Sequence, residues 1–451
     1  MTATEKNKSM ARLSTGSIRG HLVRMSVPMV GGIFAITLFN LADTYFVSCL
    51  GIKELAAMGF IFPVIMVVIS VSLGLGMGAS TVISRAIGTH GDRDVRRLTT
   101  DSLLISVAVV LILAVLGLLT IDPLFTMLGA GPEVLEHIRS YMTIWFAFTA
   151  VLIIPMIGNH CIRATGDTLT PAIIMSSIAL LNIALDPIFI FGYFGLPAMG
   201  IAGAALATAL SRLLGLVASL VVLHKKYHMI EWSMPDRRTL LDSWKRILHI
   251  AVPSSVTHLL MPISMGFITR LTAFYGPGPV AAVGAGGRMI HFAYMIPIAM
   301  GTSLVPLIGQ NWGAGLRHRA FQAWSQCNRF SLYYGLVTLV IFLAFSSHIT
   351  GVFSDNDSVT IPMIAFMTFV LASSGLQHVG VHSGFTLNAV GRPFTALLLN
   401  LFRLLVLMCP LALLGKALFG LLGIFGGMAA AQALTGIIAR IYLPRILKPS
   451  E

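Results

Sequence analysis

The sequence contains few charged residues. Asp, Glu, Lys and Arg make up 10% of its 451 residues, whereas ordinary soluble domains carry roughly a quarter. Apolar residues account for 56%, and the mean hydropathy is +0.87. A water-soluble chain of this length could not cover its surface with so few charges. We therefore expect lipid to be the solvent for most of the chain, which excludes a soluble enzyme and a disordered protein.

Acidic residues are scarcer than basic ones, at 17 against 30, so the net charge is +13. A basic excess can indicate a nucleic-acid-binding protein, but that function needs a basic face or stripe. Here the basic residues occupy short gaps between long apolar runs, as membrane topology requires. We therefore expect the lipid bilayer as a partner and no nucleic acid.

Several motifs are absent as well. The four cysteines show no CxxC pairing, which argues against a disulfide framework and a thiolate metal site; they are Cys49, Cys161, Cys327 and Cys409. The chain has no GxxxxGK[ST] loop, so we expect no nucleotide partner. It also lacks HExxH and GxSxG, so we expect no enzyme activity and no cofactor. Any energy must come from an ion gradient.

The long apolar runs predict about twelve membrane-spanning helices, since one crossing of ~30 Å of hydrocarbon needs roughly 20 residues. The polar, basic start of the chain is unlike a cleavable signal peptide, so the first span should be retained. The predicted spans cover 25–48, 55–85, 101–122, 136–158, 169–191, 199–223, 249–274, 279–309, 326–347, 360–388, 394–415 and 420–443.

The loops between these spans separate by charge. One side collects most of the Lys and Arg, and the other receives Lys53, Lys416 and acids such as Asp355. By the positive-inside rule, both termini and the 224–247 loop face the cytoplasm of a multi-pass protein, which we expect in a bacterial inner membrane. The basic residues of the cytoplasmic side include Lys6, Lys8, Arg12, Arg19, Arg93, Arg97, Lys225, Arg238, Arg317, Arg319, Arg392 and Lys448.

The chain is an internal duplication. At a shift of 225 residues, Val27-Pro28 falls on Val252-Pro253 and Gly76 falls on Gly301. An ordered series of such matches runs across six helices. Parallel repeats commonly form two lobes that rock about a shared cavity; a structural or channel-like bundle is the alternative, although no filter motif or charged ring is present. The predicted parts are a tail (1–24), a first lobe (25–223), a linker (224–247), a second lobe (248–445) and a tail (446–451).

Two carboxyl groups lie within the predicted spans of the first half. Asp43 and Asp186 each stand about 18 residues past the start of a span that runs outward, at a depth of ~27 Å. Because an ionisable group costs ~2.5–3.5 kcal/mol or more at a helix centre, such residues are candidates for function. The equal depth allows one shared site. Alternatively, each Asp only hydrogen-bonds a neighbour.

Polar neighbours strengthen the hypothesis of a shared site. Asn182 precedes Asp186 by four residues and so lies on the same helical face, and Asn40 stands three before Asp43. Pro187 removes a backbone donor beside Asp186 and favours a kink. Carboxylates and amides in a dry setting could carry a proton or hold Na⁺.

The second half has Ile268 and Leu411 at the positions that match the two acids. It carries other polar or adaptable side chains in its spans, which we predict to line a substrate cavity. Satisfied core histidines are the alternative for several of them, and no metal site is expected because no Cys, Asp or Glu accompanies the i, i+4 histidine pair. These residues are His258, Met261, Met265, His291, Gln377, His378, His382 and Arg403.

As a set, several segments resemble the multidrug and toxic compound extrusion (MATE) family. They include FNLADTYFV, GMGASTVISRAIGTHGDRDVRR, RATGDTLTP, LNIALDPIFIFG and VPLIGQNWGAG. The resemblance implies an all-α membrane protein with twelve helices in two pseudo-symmetric six-helix lobes around a central cavity. Asp43, Asn182 and Asp186 match the DinF-like branch, where the acid pair and nearby Asn and Tyr groups are implicated in ion coupling; Tyr141 matches such a tyrosine.

The implied activity is antiport: an ion gradient, which we expect to be of protons, drives export of diverse small organic compounds by a monomer. The Glu and the acid that the other branch carries in its seventh and tenth helices are missing here, where His258 and the Gln377–His378 pair stand nearby. This departure weakens any requirement for cationic substrates. A lipid-linked sugar flippase of the same superfamily is the alternative, and a channel or structural membrane protein is a further one.

Overall fold

The structure, a computed structural model, describes residues 12–89, 91–233, 236–354 and 356–447. These residues are nearly all helical, and none of them forms a strand. The all-α prediction is therefore confirmed. Lys6, Lys8, Asp355 and Lys448, which were assigned above to loops and tails, lie outside the described residues.

The chain divides into two compact units. The first comprises Val27–Ser255, and the second takes the segment that ends at Ser26 together with the chain from Val256 onward. These divisions differ from the predicted lobe limits of 25–223 and 248–445. The first unit keeps the linker and the start of the seventh span, while the start of the first span is grouped with the second unit.

The helices of the first unit follow the predicted spans, with longer ends. The fourth span is two helices, α4 and α5, bent by 52°. The hydroxyl of the buried Thr149 donates to the carbonyl of Trp145 at 2.9 Å, a local bond that bends helices. The helices are α1 (Ile18–Ser48), α2 (Ile52–Gly88), α3 (Asp92–Met127), α4 (Pro132–Ala147), α5 (Thr149–Ala164), α6 (Leu169–Phe191) and α7 (Ile201–Val221).

The later part of the chain forms a second set of long helices, of which the first, α8, begins within the first unit. In this set a π-helical segment at Phe402–Met408 interrupts the eleventh span. The helices are α8 (Arg237–Thr272), α9 (Pro277–Gly313), α10 (Arg317–Gly351), α11 (Asp357–Ala389), α12 (Pro393–Leu401) and α13 (Cys409–Leu447).

Helix α13 reverses direction at Gly420, whose φ of 61° lies in the left-handed region. A Cβ added to Gly423 would lie 1.9 Å from the carbonyl oxygen of Gly415, and one added to Gly427 would lie 2.3 Å from that of Leu411. In a straight helix, residues eight apart are separated by ~12 Å. The two arms of α13 therefore run back along each other and provide parts of two spans.

Twelve spans result, as the sequence predicts. Ten helical stretches of the described chain are long and apolar enough to cross a membrane, and the bent pair α4–α5 supplies an eleventh. One of the ten is the continuous run Pro393–Leu447. Its reversal at Gly420 divides it in two.

The segment before α1 is held by hydrogen bonds to other residues of the second unit. The side chain of Asn311 donates to the carbonyl of Leu13 at 3.0 Å. Arg319 donates to the carbonyls of Leu13 and Gly16 at 3.3 and 3.1 Å. The predicted tail of 1–24 is therefore shorter than expected, because α1 already begins at Ile18.

The linker is tied to the first unit by Asp167, in the turn before α6. Its carboxylate accepts hydrogen bonds from Thr170 at the start of α6, from the Tyr227 hydroxyl at 2.6 Å and from Lys226 at 2.9 Å. Burial alone would raise the pKa of Asp167, but these donors outweigh burial and lower it to about 2. Asp167 is therefore ionised at neutral pH, and it joins the end of the sixth span to the start of the fifth.

Replacing Gly423 with Ala should destabilise the protein, because the new Cβ would overlap the Gly415 backbone. Overpacking of this kind costs about 1–3 kcal/mol, so we expect a melting temperature several degrees lower in detergent. Gly284→Ala is the matched control, since no atom lies within 4 Å of its added Cβ. Equal melting temperatures for the two variants would contradict the close contact between the two arms of α13.

Asp167→Asn should also lower the melting temperature, because hydrogen bonds to a charged group contribute about 1.5–3 kcal/mol. The folded pKa is below the unfolded value, so the stabilisation is complete above about pH 4 and is lost as the pH falls toward 2. The difference between wild type and variant should thus be constant from pH 8 to pH 5 and shrink below pH 4. A difference that grows on acidification would refute this role.

Candidate functional site

The two intramembrane acids of the first unit lie in one cluster. Asp43 is 7% exposed on α1 and Asp186 is fully buried on α6. Their carboxyl groups interact electrostatically with each other, and both interact with the phenol of the buried Tyr141 on α4. Three helices therefore bring together the acid pair and the tyrosine that the sequence singled out.

Asn182 lies one turn before Asp186 on α6 and contacts it directly. Both neighbours of Asn182 are satisfied when its amide nitrogen donates to a carboxylate oxygen of Asp186 at 3.0 Å and its amide oxygen accepts from the backbone N–H of Thr208 at 3.2 Å, and we assign the amide in this orientation. Because Thr208 on α7 occupies the oxygen, the amide presents its N–H donors to the acid. The orientation of Asn182 is thereby fixed from a neighbouring helix.

One oxygen of each acid has no hydrogen-bond partner among the described residues. These atoms are Oδ1 of Asp43 and Oδ1 of Asp186, and both are buried. A buried polar atom without a partner costs free energy and calls for an explanation. Protonation would remove the negative charge from such a carboxyl group and supply a donor. A protonated carboxyl group would therefore leave less of the cluster unsatisfied than a charged one.

Asn40 was predicted to join this cluster but does not bond to it, whereas Thr208 was not predicted and contacts Asn182. The side chain of Asn40 is exposed and forms no hydrogen bond with either acid. Thr208, which holds Asn182, stands in the small-residue stretch AGAALATALS of α7. A threonine among alanines on a helix packed beside α6 was the available signal.

In the second unit, His378 and His382 are buried and held by protein groups. The Nδ1 of His378 lies 2.8 Å from the carbonyl oxygen of Ser374. The Nε2 of His382 lies 2.9 Å from the carbonyl oxygen of Pro297, and its Nδ1 lies 3.3 Å from the Ser331 hydroxyl. These contacts match the alternative reading of the pair as satisfied core histidines. No group of three or more potential metal ligands occurs in the part of the chain that the structure describes.

The other candidates of the second half differ in how far they are buried. His258 is partly buried, His291 is exposed, and Met261 is 64% exposed. Met265 packs against the apolar core of the second unit. The place of these four side chains in a substrate cavity stays a prediction.

Gln377 and Arg403 do share a location. They line a small pocket, with room for about one water (≈ 10 Å³), between α11, α12, the π-helical segment and α13, together with Asn400 and Gln432. The side-chain oxygen of Gln377 accepts from the Tyr294 hydroxyl at 2.7 Å. This polar pocket is separate from the acid cluster, since every residue that lines it belongs to the second unit.

Comparison with known proteins identifies the family. The MatE family profile matches residues 28–188 and 253–414. The FAD transporter of Shewanella oneidensis is 35% identical over 95% of each chain, and the multidrug export protein MepA of Staphylococcus aureus is 23% identical over 94% of this chain and 93% of its own. The crystal structure of the Vibrio cholerae MATE transporter VcmN in the bent form superposes with a TM-score of 0.90, at 29% identity and 98% coverage of both chains.

The two matched segments of the family profile begin at Pro28 and Pro253, which are the prolines that the internal repeat aligns. Members of the family are transporters rather than enzymes, as the sequence predicts. Two halves, twelve spans and matches along nearly the whole chain lead to the same assignment. This chain belongs to the multidrug and toxic compound extrusion family of membrane transporters.

Proposed function

We propose that the protein is a proton-coupled antiporter that exports organic compounds, and that Asp43 and Asp186 are its coupling groups. The observation that carries the proposal is the pair of buried carboxyl groups, each with an oxygen that has no partner among the described residues. Such groups can take up a proton on one side of the membrane and release it on the other, provided that their protonation differs between two states.

The coupling cycle follows from the cost of the buried charge. In the outward-facing state the acid pair takes up a proton, which removes the charge that holds α1 in place. The helix shifts, substrate leaves, and the inward-facing state releases the proton and takes up new substrate. Each charge that crosses 100 mV supplies ~2.3 kcal/mol, which is enough for more than tenfold accumulation.

The orientation of Asn182 favours H⁺ over Na⁺ as the coupling ion. A sodium site needs oxygen ligands, whereas the assigned orientation of the Asn182 amide turns its nitrogen toward Asp186 and its oxygen toward the backbone N–H of Thr208. An N–H donor stabilises a carboxylate and repels a cation. The cluster therefore suits a proton better, and the protein needs no cofactor.

Two substrate classes have support. The relative MepA is named a multidrug export protein, which favours diverse organic compounds. The more similar relative from Shewanella oneidensis is named an FAD transporter, which favours export of a flavin nucleotide as a second candidate. The positive-inside pattern supports a bacterial inner-membrane protein with both termini in the cytoplasm, and we propose that it acts as a monomer.

Asp43→Asn should abolish efflux of a fluorescent dye driven by a proton gradient in proteoliposomes, because an amide cannot exchange the proton. Asp122→Asn is the control: Asp122 is an exposed acid of the same unit that pairs with Arg139, and its variant should transport normally. Normal proton-driven efflux by the Asp43 variant would refute the coupling role, whereas efflux that follows an imposed sodium gradient alone would replace the proton with Na⁺.

Asn182→Ala should move the pH dependence of transport. Loss of the donor to Asp186 removes an interaction with the ionised carboxyl group, and hydrogen bonds of this kind contribute about 1.5–3 kcal/mol. The protonated form is then favoured, so the pH of half-maximal transport should rise by about one unit. Asn40→Ala should leave the curve unchanged, since this side chain does not contact the acids. A shift in the Asn40 variant alone would contradict the observed cluster.

A further inference from the structure

Acidic residues are nearly absent from the second half of the chain. No Asp or Glu occurs between Asp242 and Asp355, or between Asp357 and Glu451. From Val256 to the end, three acids stand against eleven Lys and Arg. A basic side chain inside the spans of the second unit therefore has no acid of its own unit to pair with.

Arg403 is such a side chain. It lies ten residues after Pro393, at the start of α12, and so at a depth of ~15 Å, near the middle of a ~30 Å hydrocarbon layer. It is partly buried and forms no hydrogen bond or ion pair with any described residue. It also stands in the π-helical segment Phe402–Met408, and such segments frequently mark functional sites. A guanidinium at this depth is costly and calls for an anionic partner.

The amides beside Arg403 are oriented as donors. The oxygen of Gln377 accepts from the Tyr294 hydroxyl at 2.7 Å, and the oxygen of Gln432 accepts from the Ser373 hydroxyl at 2.8 Å. Both amide nitrogens are thereby left to donate elsewhere, and both residues line the pocket. Asn400 is the exception, because its nitrogen donates to the backbone carbonyl of Ala396 at 2.9 Å and leaves its oxygen as an acceptor.

A guanidinium with two amide donors and no carboxylate is an anion-binding arrangement, since Arg presents its N–H groups in a fork that matches phosphate oxygens. The space beside Arg403 is small, with room for about one water (≈ 10 Å³), so no whole ligand is enclosed there. The groups that line this space can therefore contact only the terminal oxygens of a larger molecule. The mid-membrane depth of this space disfavours a lipid headgroup, because lipid phosphates lie at the interface.

We infer that the Arg403 pocket binds the phosphate or diphosphate group of an organic anion, such as a flavin nucleotide, that the protein transports. This inference rests on the proposed export function and names the substrate class. A relative named as an FAD transporter agrees with it. The two halves of the chain then have different tasks: the first holds acids that exchange a cation, and the second holds a base that binds an anion.

The test is flavin binding to the purified full-length protein, followed by fluorescence quenching, with FAD and with riboflavin, which lacks the phosphates. Arg403→Gln should weaken FAD binding at least tenfold and leave riboflavin binding unchanged, while Arg403→Lys should have an intermediate effect. Arg270→Gln is the control, because Arg270 is an exposed arginine of the same unit. Equal FAD binding by wild type and the Arg403→Gln variant, or an equal loss for both flavins, would overturn the proposal.

If the Arg403→Gln variant fails to fold, a second variant can test the same proposal. Gln432→Glu preserves shape but adds a carboxylate that would pair with Arg403, so FAD binding should again fall at least tenfold. Inorganic pyrophosphate should displace FAD from the wild type. Displacement by phosphatidylglycerol in nanodiscs, with no effect of pyrophosphate, would assign the pocket to a lipid headgroup and overturn the substrate assignment.

Failure of this inference and failure of the proposed function are distinguishable in the wild-type protein. If proton-driven dye efflux is present but flavin binding does not depend on the phosphates, the pocket proposal fails alone. If phosphate-dependent binding holds but no gradient drives efflux, the coupling proposal fails and the anion site stands.

Discussion

A carboxylate that moves from water into the interior of a membrane protein loses several kcal/mol of hydration free energy. Hydrocarbon offers no hydrogen bond or opposite charge that would compensate for this loss. Asp43 and Asp186 can stay inside the first unit only if protein groups or a bound ion compensate. Asn182 supplies part of that compensation, Thr208 fixes Asn182, and Tyr141 completes the cluster. One oxygen of each acid has no hydrogen-bond partner among the described residues, so the compensation from these protein groups is incomplete.

The same cost explains how the two copies of the repeat diverged. Both copies keep the prolines and glycines that let helices bend and approach closely. The acids survive in the first copy only, and the second has Arg403 in the helix that corresponds to the one with Asp186. The two copies therefore kept similar helices and differ in the ionisable groups inside their spans.

The sequence sufficed for the spans and the acid pair, because a 20-residue apolar run and a charge inside it are strong local signals. It also placed a division between the last two spans near Gly420. Helix ends were harder to predict from the sequence. Helix α1 begins at Ile18, and the residues before it are hydrogen-bonded to Asn311 and Arg319, which are distant in the chain. No local pattern reports such a contact.

Side-chain partners were the least predictable part of the site. Spacing alone placed both Asn40 and Asn182 beside an acid, yet only Asn182 contacts one. Helical spacing fixes the face of a residue, but a neighbouring helix decides whether that face is packed. For the same reason, spacing could not show that His378 and His382, which were predicted to line a substrate cavity, lie against the carbonyl oxygens of Ser374 and Pro297.

Helices α1 and α8 each begin in one unit and continue in the other, and in both the division lies within three residues of the Val-Pro pair that the repeat aligns. Each copy of the repeat therefore completes its fold with the opening turns of its twin.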